Sequence, residues 1–345
     1  MKNINPLGLF DDHFLLERLT KLKDPLVKLE EHIDWEIFRP VLEVAFNKPA
    51  NRNKMGRPPF DRTLMFKILI LQSLYSLSDD QMEYQITDRL SFRRFLKLKA
   101  SDKVPDSKTI WKFRETLIEE GVIEALFARF NQALDDQCVF ARTGQIVDAS
   151  FVEVPKQRNT RDENAQVKQG ETPEAWKQQP NKLRQKDVDA RWTKKNKMNF
   201  YGYKNHLKVD QGSGLIGTYV VTPASVHDSQ ALDDLIDGGQ RLYGDAAYIG
   251  QEASIEKCEM VNEIHEKATS TQKLTEQQKA NNRRKSSIRC RVEHVFGFMT
   301  NTMRAMYIKT IGIYRAEAKI GLVNLTYNMM RCVQLGKPVH NVFLR

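Results

Sequence analysis

The chain has 345 residues, long enough for two ordinary domains, and with 41% hydrophobic and 28% charged residues it has the material for a buried core. Lysine and arginine outnumber aspartate and glutamate by 54 to 44, which gives a net charge of +10 and a pI near 9.3. That surplus weighs against an acidic secreted enzyme and favours a polyanionic partner, nucleic acid before membrane.

The longest apolar run, Leu64 to Leu77, is short and carries Lys67, so it reads as a core helix and not a membrane span. No signal-peptide apolar region follows Met1, and the four cysteines (Cys138, Cys258, Cys290, Cys332) form neither a CxxC pair nor a zinc spacing. A cytoplasmic protein with reduced thiols is the expectation.

Residues 1–138 read as a helical domain. Asp34 to Phe46 places Trp35, Ile37, Phe38, Val41, Leu42 and Ala45 at helical spacing, with Pro40 as an interruption. Gly56-Arg57-Pro58-Pro59 is a rigid basic connector, after which Asp61 caps a helix carrying Leu64, Ile68, Leu71 and Tyr75. Ser78 caps the next helix, to Arg89, and Ser91 opens a short one through Leu98. Pro105-Asp106-Ser107 starts a stronger helix with Ile110, Phe113 and Leu117 inward, which Gly121 ends. A further helix runs from Val122 to about Gln137. Short helices in tight turns suit a helix-turn-helix-like unit, although bundles that bind nothing share the pattern.

The period changes at Gly144, and residues 139–345 read as an α/β domain. Gln145 to Ala149 is a short β-branched strand ending in Asp148. A polar stretch at about 153–198 has little periodicity and reads as a long, partly mobile loop or insertion. Phe200–Val209 and Leu215–Val221 form a hairpin around Asp210-Gln211-Gly212-Ser213-Gly214. A helix near Ser229–Ile236 follows, then a short strand to Tyr243 that ends at Gly244-Asp245. A helix, a strand at Val261–Ile264, a long basic helix ending near Thr302 and a closing helix through Ala316, Ile320, Val323, Tyr327 and Met330 complete the chain.

Three carboxylates stand out by context. Asp148 and Asp245 follow short apolar strands, and strand ends are where open α/β sheets place ligands. Glu293 lies beside the buried stripe Ile288, Val292, Val295 and Met299, with Arg289, Thr300 and Arg304 in the same arc. Three acids meeting in a basic protein suit two Mg²⁺ ions, which take oxygen ligands and share them with phosphates. Singly, each acid has an ordinary alternative: Glu293 pairs with Arg289 one turn away, and the aspartates cap the elements that follow them. His206 and His227 lack a zinc pattern, and His227 reads as a loop organiser or a phosphate contact.

Several strings carry a resemblance that runs nearly end to end. They are Asp24-Pro25-Leu26, Ile33 through Pro40, Gly56-Arg57-Pro58-Pro59, Ile146-Val147-Asp148-Ala149-Ser150, Asp189-Ala190-Arg191-Trp192 and Tyr201 through His206. Val226-His227-Asp228-Ser229, Gly244-Asp245-Ala246-Ala247-Tyr248 and Arg291 through Gly297 follow in order. The chain resembles the insertion-sequence-five family of DDE transposases, whose catalytic core has the ribonuclease-H-like fold, a mixed sheet flanked by helices. The resemblance implies that Asp148, Asp245 and Glu293 are the catalytic, metal-binding triad, with Mg²⁺ as cofactor and Mn²⁺ as a possible substitute. In the family's helix signature Arg289 stands at the Arg offset, whereas Ser286 replaces a Tyr and Thr300 a Lys. Arg304, one turn on, is the candidate stand-in for that lysine.

Further DNA-contact candidates are Arg191, Lys194 and Lys195 around Trp192, and Lys108 and Lys112, with Arg114, on the Pro105 helix. Lys267, Lys273, Lys279, Arg283, Arg284, Lys285, Arg289 and Arg291 oppose only Glu276 and Glu293 between positions 267 and 293. The expected function is binding of terminal inverted repeats, then metal-dependent strand cleavage and strand transfer. Double-stranded DNA is the expected partner, with a homo-oligomer on the DNA, no membrane, and a nucleoid-associated place in a prokaryotic cytoplasm. The alternatives are a nuclease that never joins ends and a DNA-binding regulator with a decayed core.

Overall fold

Side-chain caps set the helical rhythm of the first part of the chain. The structure, a computed structural model, describes residues 11–46, 58–268 and 273–340; Gly56 and Arg57 of the basic connector lie outside them. Two units are formed, one holding the described residues up to 133 (apart from 73–75) and from 329 on, the other holding 73–75 and 134–328.

In the first unit the helices are α1 (Asp11–Lys21), α2 (Pro25–His32), α3 (Arg39–Phe46), α4 (Arg62–Tyr75), α5 (Asp79–Asp88), α6 (Leu90–Phe95), α7 (Ser107–Glu119) and α8 (Val122–Asp136). Asp61 accepts from the Leu64 amide at 2.9 Å, Asp106 from Thr109 at 2.7 Å, and Ser78 forms a reciprocal capping box with Gln81. Each cap satisfies an amide the helix cannot, worth about 1 kcal/mol. Pro40 is the second residue of α3 and does not interrupt it, because a first-turn residue has no intrahelical amide bond to lose. The core is aromatic, with Phe38 4.8 Å from Phe66 and Trp35 5.5 Å from Phe95, ring centre to ring centre. Lys67 is buried there, donating to Glu30 at 2.7 Å and to the Phe95 carbonyl, with its ammonium over the Trp35 and Phe95 rings. Among the described residues no helix is long and apolar enough to cross a membrane.

The second unit is a mixed sheet. Its strands are β1 (Gln145–Glu153), β2 (Arg191–Lys195), β3 (Met198–Asp210), β4 (Ile216–Pro223), β5 (Arg241–Gly244) and β6 (Val261–Ile264). The order is β2-β3-β1-β5-β6, with β4 also on β3. β3 pairs antiparallel with β1, β2 and β4, whereas β1, β5 and β6 run parallel. β1 is longer than its apolar run: β3 pairs with it as far as Glu153, so Asp148 is an internal residue of the strand. Gly202 permits this pairing, because a Cβ there would stand 2.3 Å from the Val152 carbonyl oxygen.

The polar stretch after β1 is ordered into α9 (Arg161–Lys168), α10 (Glu174–Lys177) and α11 (Pro180–Leu183), followed by β2. Trp176 is buried among them and donates its indole N–H to Glu163 at 2.6 Å. Asp187, also buried, accepts from the Tyr203 hydroxyl and the Gly312 amide, and Asp189 accepts from the Ile313 amide. The insertion is thereby fastened to the sheet. The remaining helices are α12 (Leu232–Leu235), α13 (Glu252–Lys257), α14 (Glu276–Gly297), continued by a π-turn through Thr302, and α15 (Ile313–Leu335). α14 packs on β1 and β5. This is the ribonuclease-H-like arrangement, a mixed sheet flanked by helices.

Candidate active site

β1 and β5 part company where the acids stand. Their parallel pairing ends at Ile146 opposite Tyr243, and two residues further on lie Asp148 and Asp245. Asp148 accepts from the Ala149 amide at 2.8 Å, and Asp245 caps the turn after β5 through the Ala247 amide at 2.9 Å. The Asp148 side chain is 16% exposed. Burial pushes its carboxyl up to about 6, and the charge of Asp245 adds to that, while the Ala149 amide, Arg289 and Lys195 oppose it.

α14 supplies the rest. Arg289 donates through Nη1 to Asp148 at 2.9 Å and through Nη2 to Glu293, one turn on, at 3.1 Å. Its Nε is buried without a partner. Glu293 is 61% exposed, so its end of the bridge opens to solvent. The ordinary pairing of Glu293 with Arg289 is therefore present, but it is one arm of a bridge to Asp148.

Of the other sequence candidates, Lys195 is near enough for its charge to act on Asp148. Lys108 and Lys112 are exposed on α7, on either side of the half-exposed Trp111. Arg114, on the same helix, is engaged in a two-toothed bond to Asp79 on α5. Lys194 and Lys195 are exposed on the β2–β3 hairpin, whose turn residues Asn196 and Lys197 have φ of 49° and 68°. Arg191 is half-buried, and its guanidinium donates to the Val188 carbonyl at 2.6 Å. Arg304 is exposed just past the π-turn, and the Thr300 hydroxyl donates to the Phe296 carbonyl. His227 caps the turn at Ser229, whereas His206 is buried against Thr222. Burial holds His206 down at about 4, Asp228 opposing and Lys204 adding, so it is neutral at physiological pH.

Two residues on and just after β6 escape a reading by spacing. Glu263, on β6, takes Arg241 at 2.7 Å and Arg284 at 2.8 Å, so the basic surplus of α14 is partly neutralised by an acid outside the helix. His265, after β6, is half-buried near Asp245; burial lowers its pKa, with Arg289 and Lys285 adding and Asp245 opposing. An acid and a histidine adjoining a parallel strand's end were the available signal.

Among the described residues no three carboxylate, imidazole or thiol groups stand close enough to share one ion as placed; Arg289 lies between Asp148 and Glu293. The donor set still fits a hard divalent cation. It offers carboxylate oxygens alone, with Asp148 and Asp245 close enough for the charge of one to act on the other.

Comparison with known proteins gives two family matches. Residues 14–116 match the transposase domain DUF772, and residues 140–329 match the transposase DDE domain. A cryo-EM structure of a piggyBac transposase synaptic complex with hairpin DNA is similar at 10% identity, covering 92% of this chain and 77% of that one. Its TM-score of 0.44 is too low to bear on mechanism. The matched DDE domain spans more than half of the sequence: the chain belongs to the DDE transposases, phosphoryl-transfer enzymes that as a class use divalent metals.

Proposed function

We propose that Asp148, Asp245 and Glu293 are the catalytic carboxylates, and that the protein cuts the ends of its own insertion sequence and joins them to target DNA. The observation that carries this is the meeting of two aspartates where β1 and β5 separate, with a helix glutamate tied to one of them through Arg289. A bound pair of Mg²⁺ ions would supply an activated nucleophile and charge neutralisation of the leaving 3′ oxygen. Asp148 and Asp245 would hold such ions, Asp148 from within a sheet strand and therefore rigidly. Glu293, exposed on α14, completes the donor set from the solvent side. No covalent protein intermediate is needed, because water and then a freed 3′-OH act as nucleophiles.

Binding of the inverted repeats is assigned to the helical region, with Lys108 and Lys112 on the exposed face of α7. Lys194, Lys195 and Arg191 at the β2–β3 hairpin, with Arg304 beyond α14, would contact DNA nearer the acids. Arg289 would join them once released from the carboxylates. A homo-oligomer on the DNA would bring two element ends together.

The test is a strand-transfer assay with labelled end DNA and a supercoiled target. Joined products establish transposition, and cleavage without joining points to the nuclease alternative. Binding that is unchanged by loss of the acids, without cleavage by the intact protein, points to a regulator.

A further inference from the structure

Arg289 is placed as a competitor as well as a DNA contact. Its single charge is divided between Asp148 at 2.9 Å and Glu293 at 3.1 Å. The division leaves both partners short. The largely buried Asp148 receives only one of the guanidinium's terminal nitrogens, and the Glu293 arm is exposed to water, where an ion pair contributes little. The guanidinium is short as well. Arginine's planar fork is matched by one carboxylate or one phosphate bound at two oxygens. Here its two terminal nitrogens serve different acids, and Nε is buried with no partner. Such a side chain gains by moving to a phosphate, which accepts two donors at once.

The neighbouring turn of α14 holds its base firm. Lys285, one turn before Arg289, is buried and donates to the Ile264 carbonyl at 2.9 Å. The helix is thereby pinned at β6 while the Arg289 tip reaches toward the exposed Glu293 side, from which a DNA backbone would approach.

We infer that Arg289 makes loading of the divalent cation depend on DNA: its guanidinium occupies the carboxylates until a DNA phosphate draws it away. The inference rests on the acid site proposed above. Linkage requires the coupling to be reciprocal, so DNA tightens cation binding and the cation tightens DNA binding at the same site. The arrangement keeps the nuclease chemistry silent away from DNA. It also gives Arg289 two successive partners of the same chemical kind, carboxylate oxygen and then phosphate oxygen.

The test is a Mn²⁺ titration of the full chain, read from the electron paramagnetic resonance signal of the free ion, with Asp245→Asn as the site-deleted control. Without DNA, Arg289→Gln should bind Mn²⁺ about tenfold more tightly than wild type, within the range usual for coupled sites. Arg289→Lys, which keeps the charge without the fork, should fall between them. Adding duplex DNA, with the same DNA alone as reference, should close the gap between wild type and Arg289→Gln. Equal or weaker Mn²⁺ binding by Arg289→Gln overturns the inference and leaves the acid site standing. A gap unchanged by DNA overturns the DNA dependence. Binding by neither protein above the Asp245→Asn control overturns the acid site and this inference together.

Discussion

Arg114 on α7 and Arg289 on α14 are both largely buried arginines facing acids, and they are used in opposite ways. Arg114 puts both terminal nitrogens on the two oxygens of Asp79, at 2.7 and 2.8 Å, and joins α7 to α5. Arg289 splits its nitrogens between two acids and leaves Nε bare. Asp24 with Arg94 and Glu30 with Lys67 repeat the pattern of the helical unit, in which acid meets base. At the candidate site of the α/β unit acids gather instead: Asp148 feels Asp245, and one guanidinium serves two carboxylates. Satisfied pairs hold a fold. A cluster of like charge costs stability, and its place where β1 and β5 separate is what marks a working site.

That difference is measurable in the stability of the two units. The native Asp148 carboxyl binds its proton more tightly than the unfolded chain does, because its pKa is raised to about 6 from the usual carboxylate value. Its contribution is therefore most favourable below about pH 4 and is lost as pH rises toward 6. Asp148→Asn removes that loss. With metal chelated, it should exceed wild type in unfolding free energy by about 3 kcal/mol at pH 8 and match it near pH 4. A variant less stable than wild type at pH 8 would put Asp148 with the satisfied pairs.

Arg114→Ala should do the reverse. It takes the cation away from the half-buried Asp79, which keeps the Gln72 amide at 2.8 Å, and should cost about 2 kcal/mol by chemical denaturation. Lys112→Ala, on the exposed side of the same helix, should shift stability by less than about 0.5 kcal/mol. Equal costs at the two positions would erase the distinction between the inner and outer faces of α7.

The smallest effect concerns salt. Replacing Lys108 and Lys112 together should flatten the plot of log affinity against log salt by roughly 0.9 for each phosphate they neutralise. If either lysine reads bases, binding to element ends should weaken more than binding to random duplex. An unchanged slope would move the DNA-contacting surface away from α7.

Local signals are legible in the sequence and distant partners are not. Asp61, Ser78 and Asp106 cap helices within three residues of themselves, and Asp245 follows a strand bounded by Gly244, so each can be placed by spacing alone. β1 looks too short in sequence, since its second half is held by β3, between Gly202 and His206. The insertion looks structureless there because Trp176 and Glu163 organise it through one contact with no periodicity. Arg114 resembles the exposed lysines of its helix until Asp79, on another element, is brought beside it. The acids of the site are visible through their contexts and the family resemblance; the Arg289 bridge to Asp148 spans 141 positions and needs the fold.

The most direct test of the central claim is Mg²⁺-dependent cleavage of element-end DNA by Asp148→Ala, Asp245→Ala and Glu293→Ala, each checked for DNA binding by gel shift. All three should bind the ends nearly as wild type does and cleave them no faster than background. Substantial cleavage by any one of them would remove that residue from the catalytic site.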